Sequence, residues 1–309
     1  MEKKTLQELT FKDNFMFAAV MMDEENAKGV LERALGVSIG RIEVCYEKSI
    51  IYNPEYKGVR LDVYIKDEAG SHFNVEMQVA NREIMKRARY YHSQIDMELL
   101  GTGIEYEKLP ECYVIFICDF DPIGQKKYKY TVRQTLEEDP DYTYQDGAHT
   151  VFLSTVGENE DEVPQTLVKF LKYAGTELAE STEDYDDAFV SRLQNSVKKI
   201  KKDREMGRRY MLFEELLRDE YRAGQADGHK KGLEEGHGKG LAEGHGKGIS
   251  EGITRSILLL LSQKFDISQD IQNRITGITD VETLTALLAK VPQTESEDVL
   301  AAILDQLGF

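Results

Sequence analysis

Hydropathy patterning predicts a mixed α/β domain with an all-helical extension behind it. Val59–Lys66 and Phe73–Ala80 alternate apolar and polar residues with the period of two half-buried strands. Glu111–Phe120, reading ECYVIFICDF, is the continuous apolar run of a strand covered on both faces. After about residue 181 helical patterning takes over.

Element by element, Thr10–Asp23 and Glu24–Leu35 read as helices, the second stopped by Gly36 where a helix end favours glycine. Arg41–Tyr52 is the first expected strand, followed by the two alternating segments. Between those two, Asp67–Ser71 has the polar, glycine-containing composition of a hairpin loop. Asn81–Gly101 carries Ile84, Ala88, Tyr91, Ile95 and Leu99 near helical spacing. The apolar strand comes next, then edge strands at Tyr128–Leu136 and Thr150–Thr155 and a helix at Pro164–Tyr173.

The hairpin carries the chemistry. Its first strand sets Val59, Leu61, Val63 and Ile65 on one face and Arg60, Asp62, Tyr64 and Lys66 on the other. Its second strand sets Asn74, Glu76, Gln78 and Ala80 against the apolar Phe73, Val75, Met77 and Val79. A turn centred near Ala69 brings Asp62 directly opposite Glu76, with Asn74 and Gln78 as diagonal neighbours. Opposed acids destabilise a sheet unless something neutralises them. A divalent cation between them does that; an ordinary solvated polar face avoids the problem. The pattern alone leaves both open.

The net charge is −17, which argues against passive, high-affinity coating of nucleic acid. Residues 158–187 hold ten acids and two lysines, nearly half of the excess. Lys198–Arg209, reading KKIKKDREMGRR, is basic: it can meet DNA or pair with that acidic stretch. Arg82, Lys86 and Arg89 share a flank of the 81–101 helix with Arg87 beside them, either a solvated basic face or a grip on phosphates. No apolar run has the length of a membrane span, and Met1–Leu9 lacks the core of a signal peptide. Cys45, Cys112 and Cys118 have no metal-type spacing and read as buried thiols in a reducing cytoplasm.

Asp62, thirteen residues, then Glu76-x-Gln78 resembles the metal-binding core of the PD-(D/E)XK nucleases. FNVEMQV, the helix containing RARYYHSQI and the opening LTFKDNFMFAAVMMDEENAKGVLERALG are similar to the recombination-promoting nuclease and transposase branch of that superfamily. The resemblance covers roughly residues 5–175 and implies a restriction-endonuclease-like core, a mixed central sheet flanked by helices. It implies that Asp62, Glu76 and the Met77 backbone carbonyl hold Mg²⁺ or Mn²⁺, and that the metal activates water against a DNA phosphodiester. Where relatives carry lysine, this chain has Gln78, a departure shared by the branch. Glutamine orders water but brings no charge, so either a nearby cation replaces the lysine or the metal does most of the activation. The expectation is that the metal does most of the activation. Gln94 and Glu32 are accessory candidates, Gln94 as a polar residue on the basic helix and Glu32 as an outer carboxylate.

The tail is different. Glycine occupies every fourth position from Gly224 to Gly252, in units near GHGKGLAE. Eight helical glycines cost on the order of 8 kcal/mol relative to alanine. The ladder Lys231, Glu235, Lys239, Glu243, Lys247, Glu251 returns only about 0.2–0.5 kcal/mol per pair. A semi-flexible linker and an oligomerising helix are equal alternatives. His229, His237 and His245 lie eight residues apart, about 12 Å and about 80° around a helix, too far to share an ion. Residues 253–309 read as a small helical module, with capping boxes at Thr279–Glu282 and Thr294–Glu297 and amphipathic stripes suited to self-association.

The expectation is therefore a cytoplasmic Mg²⁺-dependent DNA endonuclease, off the membrane and homo-oligomeric through its C-terminal helices. It would comprise a nuclease domain at 1–180, a charged helical connector at 181–252 and the module at 253–309. Catalysis would fall to Asp62, Glu76 and Gln78, and DNA contacts to Arg82, Lys86, Arg87 and Arg89. The competing class is a non-catalytic binding or assembly protein that kept the fold and lost the lysine.

Overall fold

The computed structural model describes residues 4–50, 58–80, 83–142 and 144–309, with the side chains of Tyr46, Glu47, Glu220 and Ala242 excepted. Two compact units divide the chain, residues 1–215 and 216–309.

The first unit is built on a six-stranded mixed sheet in the order β1-β2-β3-β4-β6-β5. Helices α1 (Asn14–Met21) and α2 (Glu24–Leu35) precede β1 (Ile42–Ile50), β2 (Val59–Asp67) and β3 (His72–Gln78). Gly36 closes α2 in the left-handed region at φ 78°, the conformation expected of it. Helix α1 starts at Asn14, four residues later than the periodicity suggested, because the Asp13 carboxylate accepts from the Thr10 amide at 2.6 Å and holds Thr10–Asp13 in a turn. β1–β2–β3 form an antiparallel meander. Helix α3 (Ile84–Leu99) then crosses over, so that β4 (Cys112–Cys118) pairs parallel with β3. β5 (Lys129–Val132) lies at the edge, antiparallel to β6 (Ala148–Ser154), which runs parallel to β4. α4 (Gln165–Ala174) and α5 (Ala188–Lys202) complete the unit.

Two apolar layers sandwich the sheet. On one face Val63, Ile65, Phe73, Val75 and Met77 pack with residues of α1, α2, α4 and α5, among them Phe17, Leu31, Phe170 and Leu193. On the other, Ile84, Ala88, Tyr91 and Ile95 of α3 cover Tyr64, Val114 and Phe116. Val59 and Leu61 join this second layer, so the expected alternation along β2 does not run through Asp62. Regular β2–β3 pairing runs from Lys66–His72 to Val63–Val75, and beyond it the Asp62 amide turns to the Glu76 side chain. Cys112 and Cys118 are buried, and burial pushes both thiols up to about 12; Cys45, expected to be buried, is exposed.

The acidic stretch is paired within the fold: Lys126 with Glu158, Lys127 with Glu162, Lys172 with Glu160, Lys169 with Asp186, Lys12 with Glu177 and Arg33 with Asp187. Among the described residues its ion-pair partners are these and not the basic run at 198–209.

Helix α6 (Arg204–Ser262) continues through the whole glycine repeat. A Cβ added at any of the eight repeat glycines meets no atom within 4 Å, so among the described residues of the chain nothing packs closely against the stripe. The second unit closes on α7 (Gln269–Thr276), α8 (Val281–Lys290) and α9 (Glu297–Leu307), around Ile257, Leu261, Ile275, Leu287, Leu300 and Leu304. Asp280 and Ser296 cap α8 and α9, one and two residues beyond the threonines expected to do so. No described helix is long and apolar enough to cross a membrane.

Candidate active site

Strand β3 ends where the crossover begins, at the carboxyl edge of the parallel β3–β4 pair, the place where open α/β sheets receive ligands. A cleft of about 1000 Å³ opens there between the β2–β3 hairpin, the N-terminal half of α3 and the residues leading into α1. Asp62, Glu76, Met77 and Gln78 line it, together with Lys12, Arg60, Lys86, Arg87 and the tyrosines 90 and 91.

Glu76 is its centre. The side chain is buried on the α3 face of the sheet, a placement that follows from strand alternation with Val75 and Met77 pointing the other way. Its Oε1 accepts from the Asp62 amide at 3.1 Å and from Asn74 Nδ2 at 3.2 Å. Its Oε2 faces Gln78 Nε2 and Arg87 Nη2, each at 3.4 Å. Burial, and then the negative charge of Asp62, push the Glu76 carboxyl up to about 8. The two acids are thus neighbours across the hairpin, and continuing the observed register by one pair sets them opposite each other. Beside them the Asn74 Oδ1 is buried without a hydrogen-bond partner.

Arg87 reaches this group from α3. Its Nη1 donates to Gln78 Oε1 at 2.7 Å and its Nη2 to the Tyr91 hydroxyl at 2.7 Å. The arginine and tyrosine share a helix face by i,i+4 spacing. Tyr91 is buried, and burial followed by the Glu76 charge raises its hydroxyl pKa, so the hydroxyl keeps its proton while accepting from Arg87.

Asp62, Glu76, Gln78 and Arg87 therefore meet, and Lys86 lines the cleft as an exposed side chain. Met77 also lines it, although its side chain belongs to the core on the opposite face. Arg89 is exposed and Gln94 lies two turns along α3 from Arg87; neither lines the cleft. Glu32 likewise does not line the cleft: its Oε1 accepts from the Ile39 amide at 3.0 Å and fastens the turn after α2. Arg82 lies outside the described residues. Tyr91 was legible only as a core position, and the Arg87-x-x-x-Tyr91 spacing was the available sign of its polar role. Lys12 carried no such sign; its ammonium meets Asp119 at 2.8 Å, Glu177 at 2.6 Å and the Gly175 carbonyl at 3.0 Å.

A family model described as PD-(D/E)XK nuclease family transposase matches residues 12–225, more than half of the chain and all of the sheet. The chain belongs to this family. The six-stranded mixed sheet with helices on both faces is accordingly a restriction-endonuclease-like fold, and the family supports a nuclease-like function. Searches of curated proteins and of solved structures found no significant match.

The donor set suits the divalent ions that PD-(D/E)XK nucleases generally use. Asp62 and Glu76 offer oxygen atoms only, which are the ligands of hard cations. Among the described residues no cluster of three or more His, Cys, Asp or Glu side chains forms. Two carboxylates are nonetheless sufficient for Mg²⁺, which commonly completes its shell with water and phosphate oxygens. A dication also offsets the burial of charge and the Asp62 repulsion that together lift the Glu76 pKa.

Proposed function

We propose that the protein is a metal-dependent DNA endonuclease whose site comprises Asp62, Glu76 and Gln78. The observation that carries the reading is a buried glutamate beside a second acid, inside a cleft rimmed by Arg60, Lys86 and Arg87. Two adjacent acids, one of them buried, are a liability that a divalent cation relieves, and Arg60, Lys86 and Arg87 offer donors to a phosphodiester in a lining that also carries Asp13 and Glu83.

In this reading Asp62 and Glu76 hold Mg²⁺ or Mn²⁺, with the Met77 carbonyl as a further oxygen donor. The bound metal supplies Lewis acidity, lowering the pKa of a water and drawing charge from the phosphate. Asn74 and the Asp62 amide fix the orientation of Glu76 by holding its Oε1. Lys86 and Arg60, exposed at the rim, contact flanking phosphates. Hydrolysis joins a water oxygen to phosphorus and breaks one P–O ester bond, leaving a phosphate monoester and a hydroxyl.

The transposase part of the family description supports a role with mobile DNA; recombination or defence, and a cytoplasmic location, are part of the same proposal. Self-association through the C-terminal helices belongs to the same proposal and is read by light scattering on the purified chain: a monomer at micromolar concentration rejects it. The activity is tested by nicking of supercoiled plasmid. Wild-type protein with Mg²⁺ or Mn²⁺ is expected to nick and Asp62→Ala to lose at least about 100-fold. Activity that survives in Asp62→Ala removes the site assignment. No nicking with either metal favours a non-catalytic assembly role.

A further inference from the structure

We infer that Arg87 is the phosphate-facing cation of this cleft, held in position by Gln78 and Tyr91. The inference rests on the nuclease reading of the site and gives Gln78 a bridging role in place of the water-ordering one expected from the sequence.

A centre with two carboxylates that receives a phosphodiester gathers negative charge from both sides, and one dication offsets only part of it. Four cations line the cleft. Lys12 is committed to two carboxylates and a carbonyl, and its side chain is only 10 % exposed. Arg60 and Lys86 are exposed at the rim. Arg87 alone reaches the Glu76 carboxylate among the ion pairs of the described residues.

The geometry around Arg87 is that of a group fixed in place. Three of its five N–H donors are engaged, with Gln78, Tyr91 and Glu76, which leaves two for phosphate oxygens. The guanidinium also stands 5.4 Å from the Tyr91 ring centre and 5.7 Å from that of Phe116. Its side chain is still 29 % exposed, so a substrate can reach it, whereas that of Glu76 is 2 % exposed. A rigid planar fork held this way presents donors to a phosphate with little ordering left to do.

Gln78 is accounted for by the same contacts. Its Oε1 accepts from Arg87, and its Nε2 faces Glu76 Oε2. The amide therefore bridges carboxylate and guanidinium. A lysine at this position, beside a full-length Arg87, would set two cations against one another. The pair Gln78 and Arg87 is thus one unit: the strand supplies the bridge and the helix supplies the charge.

The test compares wild type, Arg87→Met, Arg87→Gln and the double variant Gln78→Lys/Arg87→Met. Plasmid nicking at saturating Mg²⁺ is measured alongside Mn²⁺ affinity by calorimetry. Loss of the charge is expected to lower the nicking rate about 100-fold while tightening Mn²⁺ about tenfold, because a neighbouring cation repels the metal. The double variant, with a cation restored from the strand, is expected to return to within about tenfold of wild type in rate. Arg87→Gln keeps a polar side chain and serves if Arg87→Met does not fold. A rate within threefold of wild type for the charge-free variants overturns the inference, as does a double variant no faster than they are. If wild-type protein binds Mn²⁺ but does not nick, the nuclease reading fails; unchanged Mn²⁺ affinity in Arg87→Met then removes Arg87 from the site as well.

Discussion

Glu76 and His92 are both titratable groups whose burial costs the folded chain something, at opposite ends of the pH scale. The Glu76 carboxyl is raised from 4.5 to about 8, so its contribution to stability is fully present below about 4.5 and is lost as pH climbs through 8. Glu76→Gln removes that penalty. In EDTA at pH 8 the variant is expected to melt a few degrees above wild type, with the gap closing near pH 5. A lower melting temperature for the variant at pH 8 would show that the buried carboxylate is already compensated within the protein. His92 runs the other way: burial holds its imidazole down to about 4, its Nδ1 has no partner, and its Nε2 meets Thr150 Oγ1 at 3.0 Å. Its contribution is intact above pH 6.5 and disappears as pH falls through 4. A His92→Gln variant should therefore lose less stability than wild type between pH 6.5 and 4 in urea titrations. Parallel pH profiles for the two proteins contradict this.

At the level of elements, strands and helices with a strong period were legible, and their ends were not. The hairpin is the clearest case: loop composition gave a register that sums Val63–Val75 and Lys66–His72 to the pairing expected of Asp62 and Glu76. The strand's loss of alternation at Asp62 was invisible, because it follows from a side-chain carboxylate capturing a backbone amide. Likewise the 81–101 helix was placed by its apolar spacing, but its basic residues looked equivalent. Only the tertiary fold separates Arg87, turned inward with Tyr91, from the exposed Arg89. The glycine repeat was underdetermined for another reason, since propensity and charge pairing oppose each other. The described helix is continuous, with Lys231 and Asp227 paired at 2.8 Å. Because a Cβ at Gly232, Gly240 or Gly248 meets nothing within 4 Å, alanine at each should stabilise α6 by about 0.5–1 kcal/mol. Circular dichroism melts of the triple variant are expected to show greater helicity at a given temperature. Reduced helicity would mean that the glycines are needed for a packing partner.

For the whole molecule, local pattern was a good guide to family and fold, and composition was not. A net charge of −17 speaks against DNA, yet the acidic stretch at 158–187 is largely tied up by six lysine and arginine partners, and four cations line the cleft beside its acids. The restriction-endonuclease-like sheet and the family membership follow from residues that were readable in order along the chain. The meeting of Asp62, Glu76, Gln78 and Arg87 needed the crossover helix to be docked. The central claim is that two acids on the hairpin hold a divalent cation. Calorimetric titration of Mn²⁺ into metal-free protein at pH 8 addresses it directly. The account predicts a saturable binding event in wild type that Asp62→Ala abolishes; equal binding by the two proteins, or none by wild type, would contradict it.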